Sequence, residues 1–91
     1  MLFMSILTVE SGKAMEVIRK RAEKGPMTGG KIIGEWAAIE GSRVFRVVDV
    51  DDPKAMLTSV MAWSELGKTE IIPIFPTEEV IRLPLSRIGE L

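Results

Sequence analysis

The chain contains no cysteine and no histidine. These absences exclude disulfide bonds, thiolate nucleophiles and imidazole bases. They also remove the usual protein ligands of zinc, copper and haem iron. We therefore expect the protein to have no metal site and no cofactor.

Long apolar runs are missing as well. The opening segment MLFMSILTVE is apolar only as far as Glu10, well short of the roughly 20 residues that a membrane-spanning helix needs. It also lacks the basic region and the small-residue cleavage site of a signal peptide. We expect a soluble, cytoplasmic protein with no membrane partner.

The chain has no excess of charge of either sign. Twelve basic and thirteen acidic residues leave a net charge of −1, whereas nonspecific affinity for nucleic acid depends on an excess of Lys and Arg. We therefore predict no nucleic-acid partner. With 91 residues, 46% of them hydrophobic, the chain is expected to form one domain. A monomer of this size buries only roughly 60–65% of its unfolded surface, which favours self-association.

Apolar periodicity and turn signals predict a βαββαβ order of elements. Ser11 is the expected N-cap of the first helix, Asp52 with Pro53 marks the start of the second, and Pro73 places the last strand at a sheet edge. The predicted elements are a strand at 2–9, a helix at 12–24, strands at 31–39 and 42–50, a helix at 53–66, a strand at 69–75 and a short helical segment at 77–83.

This order is that of the ferredoxin-like α+β fold, a four-stranded antiparallel sheet with two helices on one face. Every predicted strand carries apolar residues on both faces, so the face without helices is apolar too. An exposed apolar sheet usually marks an interface. We predict that two copies pack sheet against sheet as a dimeric α/β barrel, or assemble into a larger homo-oligomer. Residues 1–76 would form the domain, and residues 77–91 a C-terminal extension that contacts a partner subunit.

The segment GPMTGGKI at 25–32 resembles a phosphate-binding loop, G-x-x-x-x-G-K-[ST]. Such a loop follows a strand and opens a helix, and its Ser or Thr holds magnesium. Here the segment follows a helix and opens a strand, and Ile32 occupies the Ser/Thr position. We interpret it as a helix C-cap followed by a glycine-rich turn.

The dipeptide Glu-Gly between the two middle strands predicts a tight hairpin. This register pairs Glu35 with Arg46 on one face and Trp36 with Phe45 on the other. Because a buried charge is costly without its partner, we expect the ion pair to point into a cavity between the paired sheets, with the aromatic pair beneath the helices. The reverse assignment of the faces is the alternative. Glu35, Arg46 and Trp36 are the candidate ligand-binding residues, although a partly hydrated ion pair that binds nothing explains the same pattern.

The stretches MLFMSILT, IIGEWAAIEGSRVFRVVDVDDP and AWSELGKTEIIPI resemble a small prokaryotic family of uncharacterised proteins with the dimeric α/β-barrel fold. The resemblance covers about residues 1 to 80 and implies that fold, but no activity. Wider relatives of the fold include cofactor-free monooxygenases, haem-degrading enzymes and muconolactone isomerase-like proteins. Several of them use a histidine, which this chain lacks.

Three functions fit these observations, and no catalytic residue is assigned. The first is a homodimer that binds a small, partly apolar molecule between its sheets. The second is a cofactor-free monooxygenase-like or isomerase-like enzyme with Glu35 as base and Arg46 stabilising an oxyanion. The third is a structural or protein-interaction module that uses the C-terminal extension.

Overall fold

The computed structural model of the protein describes residues 1–84 and confirms the predicted α+β, ferredoxin-like order. The four strands form one antiparallel sheet in the order β2-β3-β1-β4, so β4 lies at an edge as Pro73 indicated. The elements are β1 (Leu2–Val9), α1 (Ala14–Lys24), β2 (Lys31–Ala37), β3 (Arg43–Asp49), a 3₁₀ turn (Pro53–Ala55), α2 (Met56–Trp63), β4 (Gly67–Ile74) and α3 (Thr77–Ile81).

Helix α1 begins later than predicted. Residues 11 and 12 form a turn closed by the Lys13 N–H and the Glu10 carbonyl at 2.9 Å, so Ser11 does not cap the helix. The C-terminal signal is confirmed, because Gly25 follows α1 with a φ of 78° and its N–H donates to the Arg21 carbonyl at 3.0 Å.

The face that α1 buries is not the one that its apolar spacing indicates. Met15 and Ile18 recur at helical spacing and would face the core, but they are 66% and 59% exposed in the single chain. Val17 is the buried residue of the helix and packs with Leu7 and Trp63. Helix α1 therefore contacts the rest of the protein along a narrow line, which leaves space beside it.

The predicted start of the second helix is confirmed. The Asp52 side chain accepts a hydrogen bond from the Lys54 N–H at 3.0 Å, and Pro53 occupies the first helical position. The first turn is 3₁₀, and α2 ends at Trp63, earlier than the predicted end at 66. Residues 64–66 continue as a turn, in which the Leu66 N–H donates to the Trp63 carbonyl at 3.0 Å. Such a bond between residues three apart is the tighter, 3₁₀-like pattern common at helix ends.

The predicted register of the hairpin is confirmed near its turn. Glu35 pairs with Arg46 and Trp36 with Phe45, but the connection spans residues 38–42 rather than two residues. The Ala38 N–H donates to the Arg43 carbonyl at 2.8 Å, which closes a wider loop.

Farther from the turn, a β-bulge at Ile33 shifts the register. Ile32 consequently pairs with Val48 and packs against the cluster that contains Phe3 and Met56, whereas simple alternation along β2 would place Ile32 on the same face as Trp36.

The expected assignment of the two faces is wrong, and the reverse assignment is correct. Glu35 and Arg46 lie on the face that carries the helices, here called the helix-side face. Arg46 finds a carboxylate, a backbone carbonyl and an indole ring there. Trp36, which is 58% exposed, and Phe45 lie on the opposite, bare face.

Helix α3 confirms a short helical segment after Pro76. The described residues beyond Ile74 are exposed except for half-buried Val80. The domain boundary at residue 76 stays a prediction, and residues 85–91 of the predicted extension lie outside the described residues. Within residues 1–84 no helix is both long and apolar enough to cross a bilayer. The cytoplasmic location stays a prediction.

Candidate functional site

A polar layer crosses the interior between two apolar clusters. Among residues 1–84 the buried polar side chains are Ser5, Arg46 and Ser59, which come from β1, β3 and α2. Along its strand or helix, each of these three polar residues is flanked on one side by a residue of the first apolar cluster. On the other side it is flanked by a residue that packs in the second cluster. The flanking pairs are Phe3 and Leu7 on β1, Val48 and Val44 on β3, and Met56 and Trp63 on α2.

A cavity of about 380 Å³ lies beside this layer, between the helices and the helix-side face of the sheet. All three buried polar residues line it. Most of the remaining wall is apolar, with charge on one side only. The other lining residues are Leu7, Val17, Ile18, Arg21, Ala22, Glu35, Ala37, Val44, Trp63 and Thr69.

The charged side of the cavity is a cluster of two arginines around one carboxylate. Glu35 Oε1 accepts a hydrogen bond from Arg21 Nε at 2.9 Å, and Glu35 Oε2 accepts one from Arg46 Nε. Burial increases inward, since the Arg21 side chain is 40% exposed, that of Glu35 is 22% exposed and that of Arg46 is 7% exposed. The cluster joins α1, β2 and β3 through charge-assisted hydrogen bonds.

The loop after α1 completes the surroundings of Arg46. The Pro26 carbonyl accepts hydrogen bonds from Arg46 Nη1 at 2.7 Å and from Trp63 Nε1 at 3.1 Å. The Arg46 guanidinium also lies 5.2 Å from the centre of the Trp63 ring, within the range of a cation–π contact. The segment GPMTGGKI therefore directs a carbonyl oxygen towards a cation, the opposite of the N–H groups that a phosphate-binding loop supplies.

Two of the three residues predicted for the site come together there, and one does not. Glu35 and Arg46 line the cavity, whereas Trp36 does not. A side chain at Gly34 would clash with the Trp36 ring, so the ring lies over the backbone of its own strand.

The sequence interpretation missed Arg21, Ser59 and Trp63 as site residues. Arg21 belongs to a run of basic residues on α1, a pattern that is typical of a solvated helix face. It also follows Val17 by four residues, which places both side chains on the same side of α1, and this spacing is the signal that could have identified it. Ser59 lies three residues after Met56 on the buried side of α2, where a polar side chain needs a hydrogen-bond partner.

A second surface is defined by the bare face of the sheet. Apolar residues cluster at and around Phe45 near the centre of this face, and they are half-buried or exposed in the single chain. The cluster consists of Met4, Ile6, Trp36, Phe45, Val47 and Ile72. The same face also carries the charged residues Arg43 and Glu70.

The fold and the cavity define a small ferredoxin-like α+β domain with a polar, partly charged site between its sheet and its helices. The chain belongs to the family described as a domain of unknown function (DUF3303), whose model matches residues 1–85. This agrees with the resemblance to an uncharacterised family. No curated protein and no solved structure matches the chain.

Proposed function

We propose that the protein binds a small, largely apolar molecule in the cavity between its helices and its sheet. One observation supports this function above all others: the buried polar residues of the described chain all line the same cavity. Polar groups in a protein interior cost stability unless they find partners, and an interior that served packing alone would favour apolar residues here. The volume of about 380 Å³ lies near the lower end of the roughly 300–1,000 Å³ typical of ligand pockets.

The location differs from the one expected from the sequence. The expectation placed the ligand between two sheets, whereas the ion pair and the cavity are inside one protomer, beneath α1. The proposed site is therefore complete within a single chain.

Thermal denaturation in the presence of a metabolite library tests this proposal. A ligand at a hundred times its dissociation constant should stabilise the fold by roughly 2.7 kcal/mol. The variant Ser59→Leu, which extends an apolar side chain into the cavity, should abolish the shift. Thr58→Leu, on the exposed side of the same helix, should retain it. A ligand that stabilises Ser59→Leu as much as the unaltered protein would contradict the proposed location.

We also propose that the protein associates with a second copy of itself through the bare face. The support is the apolar character of Met4, Ile6, Phe45, Val47 and Ile72 on a face that the helices of the protomer do not cover. Burial of apolar area removes the cost of exposing such a face to water.

The enzymatic hypothesis that uses Glu35 as base has weaker support. Both oxygens of Glu35 already accept hydrogen bonds from guanidinium groups, so proton transfer from a substrate would have to compete with two ion pairs. The interaction hypothesis rests on the apolar residues Phe75, Ile81 and Leu83, which are exposed after the last strand. It stays a prediction.

A further inference from the structure

We infer that the ligand is a small monoanion, an apolar molecule with one carboxylate or a group of similar charge, whose head group binds Arg21 and Arg46. This inference rests on the proposed function and specifies the chemistry of its ligand. It follows from the charge of the cavity wall, from the hydrogen-bond donors that the protein leaves available, and from the position of the opening.

The charged residues of the cavity wall do not balance. Two arginines and one glutamate line it, which leaves one positive charge in excess. The surroundings are mostly apolar and partly buried, so this charge is less well solvated than it would be in water. A ligand with one negative charge would neutralise the wall, whereas a cation would increase the imbalance.

The available hydrogen-bond groups favour the same chemistry. An arginine has five N–H donors, and among the described residues Arg21 uses one and Arg46 uses two. The planar guanidinium matches a carboxylate through paired N–H groups. Glu35 is a poor site for a cation, since both of its oxygens already accept from arginines. Thr69 Oγ1 also lines the cavity and is buried without a hydrogen-bond partner within residues 1–84, but it lies on β4, at the sheet edge opposite β2 and away from the two arginines.

The exposed part of the wall shows where the head group would lie. Ile18 and Ala22 on α1 and Ala37 on β2 line the cavity and are exposed, so the cavity opens between these two elements. The ion pair of Arg21 with Glu35 spans the same opening. A carboxylate bound there would direct its apolar part towards the interior, where Leu7, Val44 and Trp63 form the wall.

Isothermal titration calorimetry with matched compounds tests the inference. The probes are benzoate, phenylacetate, hexanoate and octanoate, the primary amide of each acid, and the corresponding amines. Titrations at about 0.15 M ionic strength screen attraction from distant surface charges. At least one carboxylate should bind ten times more tightly than its amide, a difference of about 1.4 kcal/mol, and the amines should not bind.

Two variants test whether the preference for carboxylates depends on Arg21. Arg21→Met should reduce carboxylate affinity at least tenfold and leave amide affinity unchanged, because the methionine keeps the apolar stem without the charge. Arg19→Met, on the exposed side of the same helix, removes the same charge away from the cavity and should have no effect.

The outcomes separate this inference from the proposed function. If acids and amides bind with equal affinity, the anion inference is overturned. If that binding is also lost in Ser59→Leu, the result still supports the proposed binding site. Equal weakening by Arg19→Met and Arg21→Met would overturn the assignment of the head group to Arg21. If no compound of any series binds to the folded protein, the anion inference is overturned, whereas the proposed function is decided by the thermal denaturation experiment with the metabolite library.

Discussion

Arg46 connects three separate parts of the chain through one side chain. It binds Glu35 on the neighbouring strand, the Pro26 carbonyl after α1 and the ring of Trp63 at the end of α2. A charged side chain that is only 7% exposed is stable only where such partners replace water. The residue therefore fixes the positions of the elements that surround the cavity.

The first prediction concerns the carboxylate of this cluster. Glu35→Gln removes the negative charge and leaves one oxygen acceptor for two guanidinium groups. We expect the free energy of unfolding to fall by about 1.5–3 kcal/mol, the contribution of a hydrogen bond to a charged group. Urea denaturation measures the change. Glu65→Gln, at an exposed position, is the control and should remain within about 0.5 kcal/mol of the unaltered protein. Equal stability of the two variants would show that the cluster contributes nothing to folding.

The second prediction concerns the hairpin loop. The Ser42 hydroxyl donates a hydrogen bond to Glu40 and, with the Ser42 backbone N–H, holds the pKa of that carboxyl below its usual value. A lowered pKa stabilises the folded state above the pKa of the unfolded chain, and this contribution disappears as pH falls through the folded pKa. In Ser42→Ala the pKa of Glu40 should rise towards its ordinary value, as measured by an NMR titration. An unchanged titration curve would exclude the hydroxyl as the cause.

At the scale of the elements, the second helix depends on its first turn. Asp52→Ala removes the acceptor for the Lys54 N–H and should lower the free energy of unfolding by about 1 kcal/mol. Asp51→Ala is the matched control, because Asp51 is exposed and precedes the capping position. Thermal denaturation of the two variants provides the comparison, and a larger loss in Asp51→Ala would contradict the assignment of the cap.

Helix α1 shows how one element produces both a fold and a site. Val17 packs against Leu7 and Trp63, while Arg21, one turn later, reaches Glu35 on β2. Lys20 also binds the Ala62 carbonyl at the end of α2. The apolar residue Val17 and the polar residues Arg21 and Lys20 thus hold the helix in place, and the cavity occupies the space that a broader apolar face would fill.

At the scale of the whole molecule, the two faces of the sheet differ in composition and in proposed role. The helix-side face contains the polar layer and the cavity. The bare face carries half-buried or exposed apolar residues around Phe45, together with the charged residues Arg43 and Glu70. The site and the proposed interface are therefore on opposite sides of one sheet, and changes to the interface should leave the cavity intact.

The fourth prediction tests the homodimer. The protein should sediment as a dimer at micromolar concentration, and Val47→Lys should sediment as a monomer because it places a charge within the proposed apolar interface. Thr58→Lys adds the same charge on the exposed side of α2 and should remain dimeric. Near-ultraviolet circular dichroism reports whether each variant keeps its fold. A monomeric mass for the unaltered protein would contradict the proposal.

The order of elements, the pairing of Glu35 with Arg46 and the start of α2 could be predicted because each depends on nearby residues. A turn sets the register of its own hairpin, and Asp52 caps the helix that follows it directly. The candidate pair was found for the same reason, since strand alternation alone places the two side chains together.

Only the tertiary structure decided which face the helices cover and which residues surround the cavity. Strands with apolar residues on both faces carry no local signal for the choice, and the bulge at Ile33 changes the face of Ile32. The choice depends on contacts between distant parts of the chain. The Pro26 carbonyl can satisfy Arg46 and Trp63 together only on the helix-side face. The sequence by itself therefore determined the elements and their local pairing, and the packing of distant elements determined the site.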